Sequence, residues 1–371
     1  MSRNTLTYDI AERAERIVGL RHERPGNYFM GQLQNERLIV APGTFCARGA
    51  QFARQVREEE LSAGRHCHYN AIYGSGYSIA SALWGVPDMG HHNLTMMEMI
   101  GKFLVAAGHP LPLILDAETG FGTEVTLAWT VEAYDRMGVA VAHLEDQAGT
   151  RRCGNLSGKR ICELDVMLAK IRAWLEHTYN LGSSMRLMVR TDALTAMDGG
   201  IDVAIDRMRR YLDVEYRGFR PAFSWADAMM KPEHIEKWCR EMERTHPHVV
   251  RGLNYSPNKD WTGYYRGELG REDPPTYEEL FANGDGFSVQ WHTILQERAM
   301  NEAVWNTFQQ MAREGAKALW DLHDRQRGTY VGETQKVSNF VPWQSLEKRI
   351  GGDEAAERYK RSEGYGADRT S

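Results

Sequence analysis

Two carboxylates and a thiol lie close together near the middle of the chain. Glu145 and Asp146 end an apolar run that begins at Val139, and Cys153 follows a few residues later, directly after Arg152. Carboxylate oxygens are the ligands that hard divalent cations prefer. A cysteine beside positive charge can exchange a proton, because the charge favours its thiolate. This arrangement predicts an enzyme that forms a carbanion and then protonates it.

Polar side chains also end the neighbouring apolar runs. These stretches are YGSGY at 73–77, DAETGFG at 116–122, RTD at 190–192, Trp225 with Asp227, and NYSPN at 254–258. They combine carboxylates with an arginine and amides, which are the groups that a metal-chelated 2-oxo or 2-hydroxy acid needs. Each residue alone has a simpler explanation as a helix cap, a turn or a core side chain. Their shared position at successive strand ends favours a binding site.

Short apolar runs alternate with amphipathic segments along the chain. The predicted strands are Leu38–Ala41, Tyr69–Tyr73, Leu111–Asp116, Val139–Glu145, Arg186–Arg190, Pro221–Ala226, Val249–Asn254 and Phe287–Trp291. The predicted helices between them include Glu124–Met137, Glu163–Thr178, Gly200–Tyr211 and Pro232–Thr245. The alternation predicts an α/β fold, a (β/α)8 TIM-type barrel with additional N- and C-terminal helices, whose chemistry lies on the loops after the strands. The rival is an open doubly wound sheet, which is disfavoured because no G-x-G-x-x-G follows a first strand.

The chain is predicted to contain three regions. Residues 1–37 form an N-terminal helical extension, residues 38–295 form the catalytic barrel, and residues 296–371 form a C-terminal helical region and tail. With 371 residues and 42% hydrophobic composition, the chain is long enough to bury one large core.

Composition and charge argue against several functional classes. The formal net charge of -5 gives no support for nucleic-acid or anionic membrane binding, and no apolar run reaches membrane-spanning length. The five cysteines are scattered without C-x-x-C spacing, which indicates reduced thiols rather than disulfides or structural zinc. The charged N-terminus lacks the apolar core of a signal peptide. We therefore expect a cytoplasmic enzyme with a small-molecule carboxylate substrate.

With these residues in view, the chain resembles the isocitrate lyase / phosphoenolpyruvate mutase superfamily, in its isocitrate lyase-like branch. The resemblance runs from about residue 41 to residue 258. It rests on the order and spacing of YGSGY at 73–77, PD at 87–88, DAETGFG at 116–122, EDQ at 145–147, RRCG at 151–154, RTD at 190–192 and NYSP at 254–257. The Cys153-Gly154 pair indicates a lyase rather than a phosphoryl mutase, because a lyase needs an acid to quench its carbanion.

The resemblance implies a Mg2+ site, with Mn2+ as the alternative cofactor. Asp116 corresponds to the direct metal ligand. Asp88, Glu118 and Glu145 correspond to surrounding carboxylates that act partly through water.

The resemblance also implies the catalytic and substrate contacts. Cys153 corresponds to the thiol that protonates the departing carbanion, Tyr73 to a base toward the substrate hydroxyl, and Arg190 to a catalytic residue beside the oxo-acid pocket. The implied substrate-binding residues are Ser75, Gly76, Tyr77, Gly154, Asn155, Trp225, Asn254, Ser256 and Asn258. The first three form the pocket for the 2-oxo acid carboxylate, and Asn254 and Ser256 donate to the carboxylate of the second product.

Three positions depart from the usual lyase pattern. Asn155 replaces a histidine that directly follows Cys-Gly, Asn258 replaces a second serine, and Tyr77 replaces a tryptophan. An imidazole at the first position would stabilise a thiolate, whereas an amide carries no charge.

The resemblance therefore implies a Mg2+-dependent carbon–carbon lyase. It would cleave a 2-hydroxy di- or tricarboxylate, such as isocitrate or 2-methylisocitrate, to glyoxylate or pyruvate and a second carboxylate such as succinate. The alternatives are a hydrolase of oxaloacetate or another 2-oxo acid on the same scaffold, and a catalytically silent binding paralogue. The resemblance also implies a homotetramer with exchanged C-terminal helices.

Overall fold

A computed structural model describes residues 24–154, 156, 158–282, 286–338 and 345–352. Residues 1–23 of the predicted extension, residues 353–371 of the predicted tail and the predicted substrate contact Asn155 lie outside the described residues. The chain divides into two compact units. The first comprises residues Arg21–Glu297, and the second includes the residues from Arg298 onward.

Eight parallel strands close into a barrel in the first unit. In chain order the strands are β1 Ile39–Thr44, β2 Ile72–Gly74, β3 Leu113–Asp116, β4 Val141–Glu145, the hairpin strands β5 Gln147–Ala148 and β6 Arg160–Ile161, and then β7 Arg186–Thr191, β8 Phe223–Ala226, β9 Val250–Asn254 and β10 Val289–His292. Around the barrel the order is β1, β10, β9, β8, β7, β4, β3, β2. The predicted TIM-type barrel is confirmed, and each of the eight predicted strands overlaps one of the observed barrel strands, with ends that differ by up to three residues.

Helices follow the strands, as parallel connections require. The longer helices are α1 Pro25–Glu36, α2 Ala47–Ser62, α3 Leu94–Gly108, α4 Leu127–Met137, α5 Leu164–Asn180, α6 Ile201–Leu212, α7 Pro232–Thr245, α8 Leu295–Glu314 and α9 Lys317–Gln326. Short helical segments are Gly76–Ser78, Ile79–Leu83, Ala193–Thr195, Trp261–Gly263, Tyr264–Glu268, Tyr277–Phe281, Tyr330–Gly332 and Thr334–Val337. In the described residues, no helix is both long and apolar enough to cross a bilayer.

Helix α1 covers the N-terminal end of the barrel. Its Phe29 is fully buried and contacts Phe223, the first residue of β8, edge to face with ring centroids 5.6 Å apart. The amide of Gly26 donates to Ser184 Oγ at 3.2 Å, just before β7. Because this end is closed, the loops at the carboxyl ends of the strands are left to form the site.

Stacked rings fill the barrel interior beneath that open end. Tyr73 lies parallel to His143 and to Trp291, with centroids 5.6 Å away in each case. Trp225 meets His143 and Trp291 edge to face at 4.9 and 4.8 Å. All four rings are buried, and contacts of this geometry stabilise beyond simple area burial. They form a rigid floor for the polar groups above.

The strand register brings the predicted polar residues to one level. Asp116 on β3 pairs with His143 on β4, and Glu145 on β4 pairs with Arg190 on β7. Arg190 in turn pairs with Trp225 on β8. Residues far apart in sequence therefore converge at one barrel end.

Candidate active site

A cleft opens at the carboxyl ends of the barrel strands. Its volume is about 360 Å³, including the solvent-filled space at its mouth. Its lining residues are Tyr73, Ser75, Tyr77, Asp88, Asp116, Arg151, Cys153, Gly154, Arg190, Trp225, Asp227, Asn254, Asn258, Thr293 and Ile294. Most of the residues predicted from the sequence therefore meet in one place. Gly76, Glu118, Glu145 and Ser256 do not line the cleft but lie directly behind it, in contact with residues that do.

Arg151 joins the four predicted metal carboxylates. Its guanidinium hydrogen-bonds Asp88 closely, donates from Nε to Glu145 Oε1 at 2.7 Å and reaches Asp116 Oδ2 at 3.4 Å. Its Nη1 also lies 3.5 Å from Glu118 Oε1. All five side chains are buried, so the ion pairs are shielded from solvent screening. In the sequence, Arg151 is evident only as part of the RRCG stretch beside the thiol.

Two buried histidines contact the carboxylates. His92 Nε2 forms a close ion-pair contact with Glu118 Oε1. His143 lies with Nδ1 3.5 Å from Asp116 Oδ1, while its Nε2 is 2.8 Å from the hydroxyl of Tyr73. The chain Tyr73–His143–Asp116 thus links the predicted base to the predicted metal ligand.

Arg190 is the centre of a second ion-pair network on the other side of the cleft. It donates to Asp192 from Nε at 2.9 Å and to Asp227 from Nη2 at 3.0 Å, and its Nη1 lies 3.1 Å from Glu145 Oε2. Its guanidinium carbon lies 4.3 Å from the centroid of the Trp225 ring, a favourable cation–π position. Trp225 therefore orients Arg190 in the cleft as well as lining it.

Gly154, the residue after Cys153, fixes the position of the loop that carries the thiol. A Cβ on Gly154 would lie 1.4 Å from Asp227 Oδ2, so only glycine allows this approach. The Gly154 carbonyl accepts a close hydrogen bond from the ammonium of Lys159, which also donates to Asp192 Oδ1 at 2.8 Å. Cys153 is half-buried at the cleft.

The segment after β2 lies against the carboxylates. A Cβ on Gly76 would come within 2.6 Å of Asp116 Oδ2, so its lack of a side chain permits the approach of the backbone. Ser75 Oγ accepts from the amide of Ser78 at 3.3 Å. Tyr77 lines the cleft.

The opposite wall presents uncharged side chains to the cleft. Thr293 donates to Ser256 Oγ at 2.7 Å and lies 3.3 Å from Asn254 Oδ1, and Asn254 Nδ2 is 3.3 Å from Asp227 Oδ1. Asn258 is exposed at the mouth. The hydroxyl and amide groups on this wall can bind a carboxylate at the far end of a ligand.

Electrostatics distinguish the carboxylates. Burial raises the pKa of Glu145 to about 8, although Arg151 and Arg190 both oppose the rise. Burial also raises the pKa of Asp88. At Asp116 burial acts in the same upward direction, but His143 and the two arginines outweigh it and lower the pKa to about 2. The ionised form of Asp116 is therefore strongly favoured.

The donor set suits a hard divalent cation. Asp88, Asp116, Glu118 and Glu145 offer oxygen ligands, and the raised pKa values at two of them show that negative charge there lacks full compensation. In the part of the chain that the structure describes, no three acidic, histidine or cysteine side chains are already spaced as a metal cage. Arg151 lies among these carboxylates instead, so a cation would share or replace its contacts.

Sequence reasoning missed several members of this site. They are His143, Arg151 as an ion-pair partner, Lys159 and Thr293. His143 lies inside an apolar strand, where a residue is normally expected to pack in the core, so the local sequence gives no sign of its contact with Asp116. Lys159 follows the polar stretch GNLSG and resembles a surface residue in sequence.

Comparison with known proteins agrees with this geometry. The model of the family described as phosphoenolpyruvate phosphomutase matches residues 30–221. The chain belongs to that family. The 2-methylisocitrate lyase of Vibrio cholerae is 35% identical over 264 residues, which cover 71% of this chain and 79% of the relative. The isocitrate lyase of Haloferax volcanii is 28% identical over 338 residues, covering 90% and 88%.

Solved structures are similar to this chain as well. An oxaloacetate acetylhydrolase in complex with 3,3-difluorooxalacetate is 27% identical with a TM-score of 0.65, covering 78% of this chain and 88% of that one. A 2,3-dimethylmalate lyase has a TM-score of 0.71 at 23% identity, covering 89% and 97%. A phosphonopyruvate hydrolase in complex with oxalate and Mg++ has a TM-score of 0.66 at 18% identity, covering 88% and 99%. The last two similarities establish the fold alone. The prediction of an enzyme from the carbon–carbon lyase group of this superfamily is confirmed.

Proposed function

We propose that this protein is a Mg2+-dependent carbon–carbon lyase that cleaves a 2-hydroxy di- or tricarboxylate of the isocitrate or 2-methylisocitrate type. The products would be a 2-oxo acid, glyoxylate or pyruvate, and a second carboxylate such as succinate. The observation that carries the proposal is that Asp88, Asp116, Arg190 and Cys153 line one cleft, with Glu118 and Glu145 directly behind it. The relatives named isocitrate lyase and 2-methylisocitrate lyase support it.

Asp116, Asp88, Glu118 and Glu145 would hold the cation, directly or through water, with Mn2+ as the alternative. When bound there, Mg2+ supplies Lewis acidity that stabilises negative charge on the oxygens of the oxo acid. Arg190 faces the same space and binds the substrate carboxylate. Asp192 and Asp227 hold Arg190 in place, so its orientation exists before substrate arrives.

Tyr73 is the group that receives the proton of the substrate hydroxyl. Burial raises its pKa well above the ordinary value, so the phenol is protonated at neutral pH and cannot act as a base by itself. Its oxygen lies 2.8 Å from His143 Nε2. We therefore propose that Tyr73 gives its own proton to His143 as it accepts the substrate proton. Burial lowers the pKa of His143 to about 4, which keeps Nε2 unprotonated beforehand. The carboxylate of Asp116, 3.5 Å from Nδ1, would stabilise the charge that His143 gains in the step.

Cys153 acts as the general acid once the carbon–carbon bond has broken. The departing fragment leaves with the electron pair of that bond, and the thiol proton moves to its carbon. A positioned acid of this kind contributes about 10² to 10⁴-fold to a rate. Ser75, Gly76, Tyr77, Gly154 and Asn155 would border the oxo acid and the thiol, with Asn254, Ser256 and Asn258 toward the second carboxylate.

Hydrolysis of oxaloacetate is the second candidate. The structural similarity to oxaloacetate acetylhydrolase at 27% identity favours it. Purified protein should be incubated with isocitrate, 2-methylisocitrate and oxaloacetate, with Mg2+ and with a chelator. Release of glyoxylate or pyruvate from the first two, abolished by the chelator, supports the lyase. Release of acetate and oxalate from oxaloacetate alone supports the hydrolase, and inactivity on all three supports a silent paralogue.

We propose a homotetramer with exchanged C-terminal helices in a reducing cytoplasm. Large apolar side chains on α8 and α9 are exposed, among them Trp305 at 66%, Phe308 at 65% and Trp320 at 66%. Several large apolar side chains exposed on neighbouring helices commonly mark a subunit contact. The five cysteines are reduced thiols, in agreement with a reducing compartment. Light scattering of the purified protein tests the assembly, and a monomeric mass contradicts it.

A further inference from the structure

A single buried lysine connects the thiol loop to the arginine that faces the cleft. The Lys159 side chain is fully buried, which is unfavourable for an ammonium unless its hydrogen bonds are made. Its ammonium donates to the carbonyl of Gly154 and to Asp192 Oδ1, the latter at 2.8 Å. One acceptor directly follows Cys153, and the other belongs to the carboxylate that also binds Arg190.

The surroundings leave the Gly154 peptide little freedom. On one side Gly154 lies against Asp227, where a Cβ would be 1.4 Å from the carboxylate oxygen. On the other side its carbonyl accepts from Lys159, with the Thr195 hydroxyl at 3.4 Å as a weaker second donor. The backbone of Lys159 is itself held, because its carbonyl accepts from the amide of Met197 at 3.1 Å. The contacts thus connect the thiol loop to the loop after β7.

We propose that Lys159 is a positioning residue that sets the place of the Cys153 thiol by holding the Gly154 carbonyl. This inference rests on the proposed function in one respect, the role of Cys153 as the acid. Lys159 does not touch the substrate. It acts through the peptide bond after Cys153, and Asp192 orients its ammonium. Arg190 keeps Asp227, Glu145 and Asp192 as partners without it, so oxo-acid binding does not depend on Lys159.

Two variants separate positioning from general damage. Lys159→Met removes the charge and the donor, whereas Lys159→Gln keeps an amide donor for the Gly154 carbonyl. Lys102→Met serves as a matched control, because Lys102 is exposed and pairs with Glu98 along its own helix.

We expect kcat of Lys159→Met to fall by about 10²-fold, with Lys159→Gln between it and the wild type. The dissociation constant for oxalate in the presence of Mg2+, measured by calorimetry, should stay within about threefold of the wild-type value. Hydrogen exchange of the segment 149–161 should accelerate by about tenfold or more in Lys159→Met, with no change in the barrel strands.

A kcat within about threefold of wild type, or unchanged exchange in the segment, overturns the proposal. A parallel loss of oxalate binding and of kcat also overturns it, because that result indicates a merely structural lysine. If Lys159→Met does not fold, the same measurements on Lys159→Gln decide. Exchange and oxalate binding need no turnover, so a wild-type protein inactive as a lyase would count against the proposed function and leave this test intact.

Discussion

The two walls of the cleft are built from opposite chemistry. The wall formed by the ends of β3 and β4 is charged, with carboxylates paired to Arg151 and little access to water. The wall formed by the ends of β9 and β10 is neutral, with Asn254, Ser256 and Thr293 hydrogen-bonded to one another. The difference separates two tasks. The charged wall can hold a cation and stabilise developing charge, whereas the neutral wall can only select what lies at the far end of the ligand.

The largest expected effect comes from removing the carboxylate of Asp116 from the charged wall. Asp116→Ala should lose Mg2+ binding and lower kcat/KM by more than about 10⁴-fold, because it removes a ligand and the contact with His143 together. Calorimetric titration with Mg2+ and the lyase assay measure both. Asp202→Ala, at an exposed residue that pairs with Lys237, is the control. Normal metal binding by Asp116→Ala would show that the charged wall is not the cation site.

Cys153→Ser should give the next largest loss. We expect kcat to fall by about 10² to 10⁴-fold, because the variant removes an acid and leaves the carboxylates in place. Mg2+ and oxalate should bind nearly as they do to the wild type, which separates this effect from that of Asp116→Ala. Cys239→Ser, on the outer helix α7, is the matched control. Unchanged turnover in Cys153→Ser would remove the thiol from the mechanism.

The charged wall was also the more predictable from sequence. Asp116, Glu118 and Glu145 follow apolar strands, and carboxyl ends of barrel strands meet at one face, so their convergence could be inferred without coordinates. The barrel itself was predictable because eight apolar runs alternate with amphipathic segments. The local sequence pattern does not show which side chains form ion pairs with those carboxylates.

Arg151 and Lys159 illustrate that limit. Both lie in a polar stretch around Cys153 and resemble exposed residues in sequence. In the structure both are buried, and Arg151 pairs with Asp88 while Lys159 pairs with Asp192, each partner lying many residues away in the chain. Such pairs depend on strand register and on the path of a loop, which no periodicity encodes. His143 was missed for the converse reason, because an apolar strand normally hides a core residue at that position.

A moderate effect is expected from the neutral wall. Thr293→Val removes the hydroxyl that donates to Ser256 and lies near Asn254, so the far carboxylate of the substrate should bind about 10 to 10²-fold more weakly. The change should appear in KM for isocitrate or 2-methylisocitrate and should leave the affinity for oxalate and Mg2+ unchanged. Thr245→Val is a matched control, because its hydroxyl donates to a carbonyl within α7. A loss of Mg2+ binding in Thr293→Val would mean that the two walls are not separate in function.

The smallest effect is a pH dependence behind the neutral wall. His292 is buried, with Nδ1 2.6 Å from the Tyr255 carbonyl and Nε2 2.6 Å from the Tyr277 hydroxyl. Burial lowers its pKa below the ordinary value of 6.5. The unfolded chain therefore takes up a proton at a higher pH than the folded protein, and this residue reduces stability as pH falls from about 6.5 toward the folded pKa.

His292→Gln tests this account, because a glutamine can offer a donor to Tyr255 and an acceptor to Tyr277 without titrating. Urea unfolding should be measured at about pH 7.5 and about pH 5.5 for both proteins. The wild type should lose more stability between these values than the variant does. An equal loss in both would mean that His292 takes up a proton in the folded state as readily as in the unfolded one. The neutral wall would then gain charge in mild acid, and the contrast between the two walls would hold only near neutral pH.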